Sequence, residues 1–419
     1  MIRSSALYIS LIVSILIVLV CGSMLMIGYI YKMQERKQQH ALTLSSNVAS
    51  GAEIVLLESF TAGRTEKVCL FGTDQDSVLL SKKLWGIYES ATVKTWIGND
   101  TLKRAMMIGT CLNDTLQVLY LSDEDRPMSI SGKSLIKGTA YLPKAGIRAA
   151  YVESSGYNDR TLVYGKIKDS GRKLPDPDPV LMKNLQVLLE DNSEHGSQQL
   201  PTADPIPDTV NNSFFNPVRR IRSGKKVINL SGVSITGNVV ISSDSLIIVP
   251  ADAVLNQVIL IAPQVRIESR FRGNLQVIAS DSVIVQDSVQ LDYPSALMVL
   301  KNDTASFQAK IAIGKDVIFS GQLFAWEIER SVLMPTISIG EHSLVRGEVW
   351  SQGYVALSKS SEVYGSVSAI RLMARVSSAI YENYLIDVKL DKTRLSRYYL
   401  SSRLINQPKK RGGLLCWLY

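Results

Sequence analysis

The chain has 419 residues, 46% of them hydrophobic and 7% aromatic, with a formal net charge of +8 at pH 7. That length carries two domains and a large core, and so few aromatics argue against an aromatic-lined enzyme pocket and for a core of Val, Ile, Leu and Ala. The pI is about 9.1; the basic residues are mostly scattered, which favours weak attraction to anionic surfaces over a nucleic-acid groove.

Residues 1–31 read as a transmembrane anchor. From Ala6 to Tyr31 there is no charged residue. At about 1.5 Å per residue this run exceeds the ~30 Å of a bilayer core. It is too long for a signal-peptide core. A buried soluble helix is the bland alternative. A lipoprotein anchor at Cys21 would need a small residue before it, and Val20 stands there. Arg3 lies on one side of the run and Lys32, Arg36 and Lys37, offset by Glu35, on the other. The positive-inside rule therefore does not choose an orientation. The β-rich region that follows favours an extracytoplasmic (periplasmic) body on a single-pass anchor.

Residues 32–60 read as a helical stalk. There is no proline from Lys32 to Phe60, and Leu44, Val48, Ala52, Val55 and Ser59 recur at helical spacing. Residues 61–127 alternate short apolar runs with polar turns, the pattern of a small β-meander. Cys69 and Cys111 fall within it. They could form a disulfide if the body is outside; two buried thiols are the default. Cys21 and Cys416 complete the set, and no pair is spaced as C-x-x-C, which speaks against a zinc or redox motif.

Residues 128–170 read as the first coils of a β-solenoid. "SISGKSLIKGTAYL" from Ser129 and "SIGEHSLVRGEVW" from Ser338 are nearly the same phrase. Ile130 matches Ile339, Ser134 matches Ser343, Leu135 matches Leu344, Gly138 matches Gly347 and Ala140 matches Val349. Further copies start at Ile311, Ile337 and Val355, with looser ones at Leu246, Val265 and Val283. Several starts are 18 or 19 residues apart (265 minus 246, 283 minus 265, 355 minus 337). The fold class is therefore mainly β: an N-terminal transmembrane helix and stalk, a small β-meander, then a β-solenoid (β-helix) with about 18-residue coils. Ile313–Ile339–Leu357 and Leu323–Val349–Val367 are expected to form buried ladders, with Gly321, Gly347 and Gly365 at equivalent bends. An antiparallel sandwich is the alternative. Residues 171–226, rich in Pro, Asp, Ser and Asn, read as a linker or insertion. Residues 227–390 carry the main solenoid, and residues 391–419 a cap and tail. Met128–Ala140 is expected to begin the stack, with the chain returning near Lys225.

Two resemblances follow from these residues. Ser5, Ala6, Leu7, Ser10, Leu11 and Ile12 resemble the start of the N-terminal helix of minor pilins, although the glycine cleavage site and the glutamate after it are missing here. Ile337, Ile339, Gly340, Val345, Gly347 and Val349, and likewise Ile311, Ile313, Gly314, Phe319, Gly321 and Leu323, resemble the rung phrase of bactofilins. The resemblances imply a polymer-forming or pilus-like scaffold. The phrase is also similar to the hexapeptide repeat of acyltransferases, whose histidine base could only be His342 here.

Reactive groups are sparse. His40 is on the stalk, His195 in the linker and His342 at a rung turn. There is no P-loop, G-x-S-x-G or dinucleotide fingerprint. Asp244 and Asp281 are placed at equivalent rung positions with Arg266, Arg270 and Arg272 between them, a charged groove or a set of solvated turns. The basic runs Val218–Lys226 and Pro408–Gly413 lack interleaved aromatics, so no nucleic-acid partner is expected. The expectation is a membrane-anchored, non-catalytic cell-envelope scaffold without catalytic, cofactor or metal residues. Its partners would be the lipid bilayer, an envelope protein or glycan, and further copies of itself. A carbohydrate-binding or carbohydrate-cleaving β-helix, and a cytoplasmic-facing bactofilin-like scaffold, are the alternatives.

Overall fold

The computed structural model describes residues 2–70, 77–111, 117–153, 155–190, 206–223, 227–301, 307–376, 379–405 and 412–418. The chain is mainly β with one long N-terminal helix. It divides into two compact units. One holds Met1–Val55, Arg64–Ser81 and Thr92–Arg104; the other holds Leu56–Gly63, Lys82–Ala91 and Ala105–Tyr419.

In the first unit, helix α1 runs from Ile2 to Val55 without interruption. Its apolar N-terminal part is long enough to cross a membrane, and its side chains there are exposed. The stripe read from the sequence is real over its middle. Leu44, Val48 and Val55 are buried and Ala52 is half-buried, whereas Ser59 lies beyond the helix end and is exposed. Strands β1 (Thr65–Cys69), β2 (Ser77–Trp85), β3 (Tyr88–Ile97) and β4 (Asp100–Cys111) are hydrogen-bonded in that order; this unit holds β1, the start of β2, the end of β3 and the start of β4. Gly51 of α1 lies so close to β2 and β3 that a Cβ would come within 3.0 Å of Val78, Leu80 and Val93. A larger residue there would push the helix off the sheet.

The second unit is dominated by a closed assembly of parallel strands. Leu246 faces Gln264 and Gln264 faces Ser282, each 18 residues on (264 minus 246, 282 minus 264). Thr336 faces Tyr354, again 18 residues on (354 minus 336). Longer steps of 28 and 26 lie between, at Ser282 to Lys310 and Lys310 to Thr336. Both expected rows stand in register: Ile313, Ile339 and Leu357 in one, Leu323, Val349 and Val367 in the other. All six are buried. Each such side chain contributes about 1.5–3 kcal/mol by leaving water, and β-branched residues suit a pleated, buried surface. Gly321, Gly347 and Gly365 also face one another.

The two similar phrases share a column: Leu344 faces Glu362, Glu362 faces Lys389, and Lys389 faces Leu135. Their order, however, differs from the expectation that Met128–Ala140 begins the stack. Gln117–Leu121 pairs with Glu362–Arg375, and Thr139–Leu142 pairs with Gln117–Leu121. The early segment is therefore laid against the late one, while Thr209–Asn212 pairs with Ser234–Gly237. The reason is physical. A repeat phrase specifies which residues share a column, not which coil is neighbour to which.

A second buried cluster lies outside the ladder core. It joins Trp85, Tyr88, Met107, Phe324, Trp350 and Leu418 with helix α2 (Pro179–Glu190). The stretch read as linker contains α2. Asp178 caps it by accepting from the backbone N–H groups of Val180 and Leu181 at 2.8 and 3.1 Å, proline opens it, and Leu181, Met182 and Leu185 are its buried face. The stretch read as tail contains strand residues as well. Leu400–Ser401 and Gly412–Leu418 both pair antiparallel with β4.

Candidate functional site

Several turns of the parallel body are made at a residue with left-handed backbone. Ser288, Asp316, His342, Ser360 and Asp387 have φ between 54° and 62°, and Gly132 has 63°. Few residues other than glycine, Asn and Asp accept that conformation without strain. The late part of this row of turns encloses a cavity of about 410 Å³, lined by Lys133, Ser155, Ser360, Ser361, Glu362, Asp387 and Lys389. It exists because the early segment is laid against the late one. Lys133 and Ser155 come from one, the other five from the other.

Hydrogen bonds fix most of the lining. The Lys133 N–H donates to Asp387 Oδ1 at 2.8 Å. The Ser360 N–H donates to the Asp387 carbonyl at 2.8 Å, and the Lys389 N–H to the Ser361 carbonyl at 3.1 Å. A Cβ on Gly132 would strike the Asp387 carboxylate, so a larger residue there would displace it. Lys389 Nζ lies 2.8 Å from Glu362 Oε1, and the Tyr364 hydroxyl also donates to Glu362. The Lys389 ammonium, aided by Tyr364, holds the Glu362 carboxyl below the usual glutamate range. Nearby, Lys359 pairs with Glu153 at 2.6 Å, and this contact raises the lysine above its ordinary value. Among the described residues, Lys133 Nζ has no carboxylate partner, and Lys133 is exposed.

The residues singled out from the sequence lie elsewhere. His342 is exposed and serves as one of the left-handed turn residues. His40 Nδ1 lies 3.1 Å from Asp100 Oδ2, both exposed. His195 lies outside the described residues, as do Gly224–Lys226 and Pro408–Arg411 of the two basic runs. Asp244 and Asp281 are not equivalent. Leu246, Gln264 and Ser282 form one column, so Asp244 stands two residues before it and Asp281 one. Asp244 pairs with Arg222 at 3.4 Å, and Asp281 accepts from Gln264 at 2.6 Å. Arg266, Arg270 and Arg272 are exposed. Cys69 and Cys111 are free, exposed thiols, not buried ones. Among the described residues, no group of three or more His, Cys, Asp or Glu side chains could hold a metal ion.

The cavity residues carried one signal in the sequence. Ser134, Ser343 and Ser361 hold the same place in the repeated phrase, and a left-handed turn residue lies one position before Ser343 and Ser361 and two before Ser134. That marks the row of turns; only the pairing of early with late strands brings Lys133 beside Asp387.

No protein-family model matches the chain, and no curated protein matches it. Its resemblance to bactofilins thus rests on the rung phrase alone. Among solved structures the chain is similar to the crystal structure of the competence-associated pilin ComZ from Thermus thermophilus. The identity is 10%, over 93% of this chain and 95% of that one, with a TM-score of 0.23. At that score the likeness carries no argument about fold or function.

Proposed function

We propose that this chain is a non-catalytic scaffold of the cell envelope, held by a single-pass N-terminal anchor and presenting an extracytoplasmic β-solenoid of about 18-residue coils. The observation that carries this reading is the continuity of α1. One 54-residue helix has an exposed apolar N-terminal part and, further on, a buried stripe against its own β-sheet. Such a helix would transmit position from a bilayer to a folded domain without a flexible joint. The solenoid reading is supported by the 18-residue register steps and by buried rows that continue from strand to strand. A structural role is supported by the cavity lining, whose carboxylates are committed to Lys389 and to a backbone N–H, and which includes no histidine or cysteine. The minor-pilin-like residues at the start of α1 favour a place in a pilus-type assembly.

The decisive experiment is a topology reporter fused after Tyr419. Active alkaline phosphatase and a dark green fluorescent protein fusion are expected. The reverse pattern would put the body in the cytoplasm and replace this reading with a cytoplasmic-facing scaffold.

A further inference from the structure

We infer that the corner cavity is a binding site for an acidic sugar residue, with Lys133 pairing its carboxylate. The inference deepens the envelope-scaffold reading and rests on it only for where such a glycan would be met.

No aromatic side chain lines the cavity, so it offers no stacking platform to a nucleobase. Two lysines line it, which disfavours a metal cation. The neighbouring backbone N–H groups of Lys133, Ser360 and Lys389 are already donated to Asp387 and Ser361. None of these is left to cradle a phosphate. Glu362 is committed to Lys389 and Tyr364. What remains is the Lys133 ammonium, the hydroxyls of Ser155 and Ser360, and the Asp387 carboxylate, which holds the Lys133 backbone N–H. Ser155 and Ser360 have side chains without hydrogen bonds among the described residues, whereas Ser361 is fully buried and its Oγ donates to the Ser358 carbonyl at 2.7 Å. One cation beside two hydroxyls, with the Asp387 carboxylate able to accept from a ring hydroxyl, matches one carboxylate on a polyhydroxylated ring. The volume of about 410 Å³ lies near the lower end of the ~300–1,000 Å³ typical of small-molecule sites. That is room for a sugar and not for a folded partner.

The test is isothermal titration of the detergent-solubilised full chain with D-glucuronate and an oligogalacturonate, and with glucose and inorganic phosphate as controls. Binding of both uronates is expected, with glucose and phosphate at least about tenfold weaker. Lys133→Glu should lose uronate binding by about tenfold or more, and Lys133→Arg should retain it. Lys133 is exposed, so both variants should keep the wild-type circular dichroism spectrum. Equal binding of glucose and glucuronate, preference for phosphate, unchanged binding in Lys133→Glu, or no binding up to about 50 mM would each overturn the assignment. None of these outcomes bears on the topology reporter, so the site can fail while the scaffold reading stands.

Discussion

Leu119 lies beside Val367 in parallel register, although 248 residues of chain separate them (367 minus 119). Both are fully buried, and the same row continues through Val349, Leu323 and Leu297 on one side and Ala140 on the other. One apolar column thus ties the early and late parts of the chain into one core.

The column beside it gives a direct stability test. Ile339 is fully buried between Ile313 and Leu357. Ile339→Asp places an unpaired carboxylate among them and should cost about 3–5 kcal/mol. Gly347→Ala should cost roughly 1–3 kcal/mol. Its φ is 140° and a Cβ there would strike the Gly321 carbonyl and the Tyr399 hydroxyl. Urea unfolding of the body, followed by circular dichroism, reads both. A wild-type midpoint for Ile339→Asp would remove that residue from the core.

Asn47 makes the opposite kind of prediction. It is 1% exposed on the buried side of α1, and neither its amide nitrogen nor its oxygen has a hydrogen-bond partner among the described residues. A buried polar group without a partner costs about 1–3 kcal/mol. Asn47→Leu, with the same branching and number of side-chain heavy atoms, should therefore raise the melting temperature of the first unit. A lower melting temperature would mean that the amide is satisfied in the folded protein.

Acid should loosen the turns around Glu362. Its carboxyl titrates below the usual range in the folded chain, because Lys389 and Tyr364 hydrogen-bond the charged form. A depressed carboxyl contributes stability that is present above its unfolded value and lost as pH falls through its folded one. The melting-temperature gap between wild type and Glu362→Gln should be open near pH 7 and close below about pH 4. A gap independent of pH would rule out this tie as the cause.

Thiol labelling separates the four cysteines. Cys69 and Cys111 are exposed, while Cys416 is half-buried and its thiol is pushed up by that burial. Less thiolate at neutral pH means slower alkylation. In membranes, a polar maleimide should modify Cys69 and Cys111 first and Cys416 later, faster as pH rises. Cys21 should react only after detergent. Early modification of Cys21, followed by peptide mass spectrometry, would argue that α1 is not in a bilayer.

Much of this architecture was legible in the sequence where a period was present. The repeated glycine phrase located the Gly321–Gly347–Gly365 column and both buried rows, because side-chain alternation and the recurring glycine are written locally. The uncharged run before Tyr31 and the stripe Leu44–Val48–Val55 were legible for the same reason. Helix α2 was hidden by its flanking prolines and aspartates, although Asp178, Pro179 and the leucines at 181, 185 and 188 are its start signal and apolar face. Neighbour relations were not legible at all. Nothing local in Gln117–Leu121 says that it pairs with Glu362–Arg375. The corner cavity, which depends on that pairing, was out of reach with it. Asp244 and Asp281 looked equivalent because a spacing of 37 (281 minus 244) is close to two coils; the one-residue offset appears only in the register.

The contact between Leu119 and Val367 also sets a clock. Ribosomes add roughly 5–20 residues per second, so Leu119 is made on the order of 10–50 s before the strand that will cover it. During that interval Gln117–Leu121 is an uncovered edge facing whatever crowds the nascent chain. Synthesis order and closure order are opposed in this protein, and every prematurely terminated copy would carry that edge permanently.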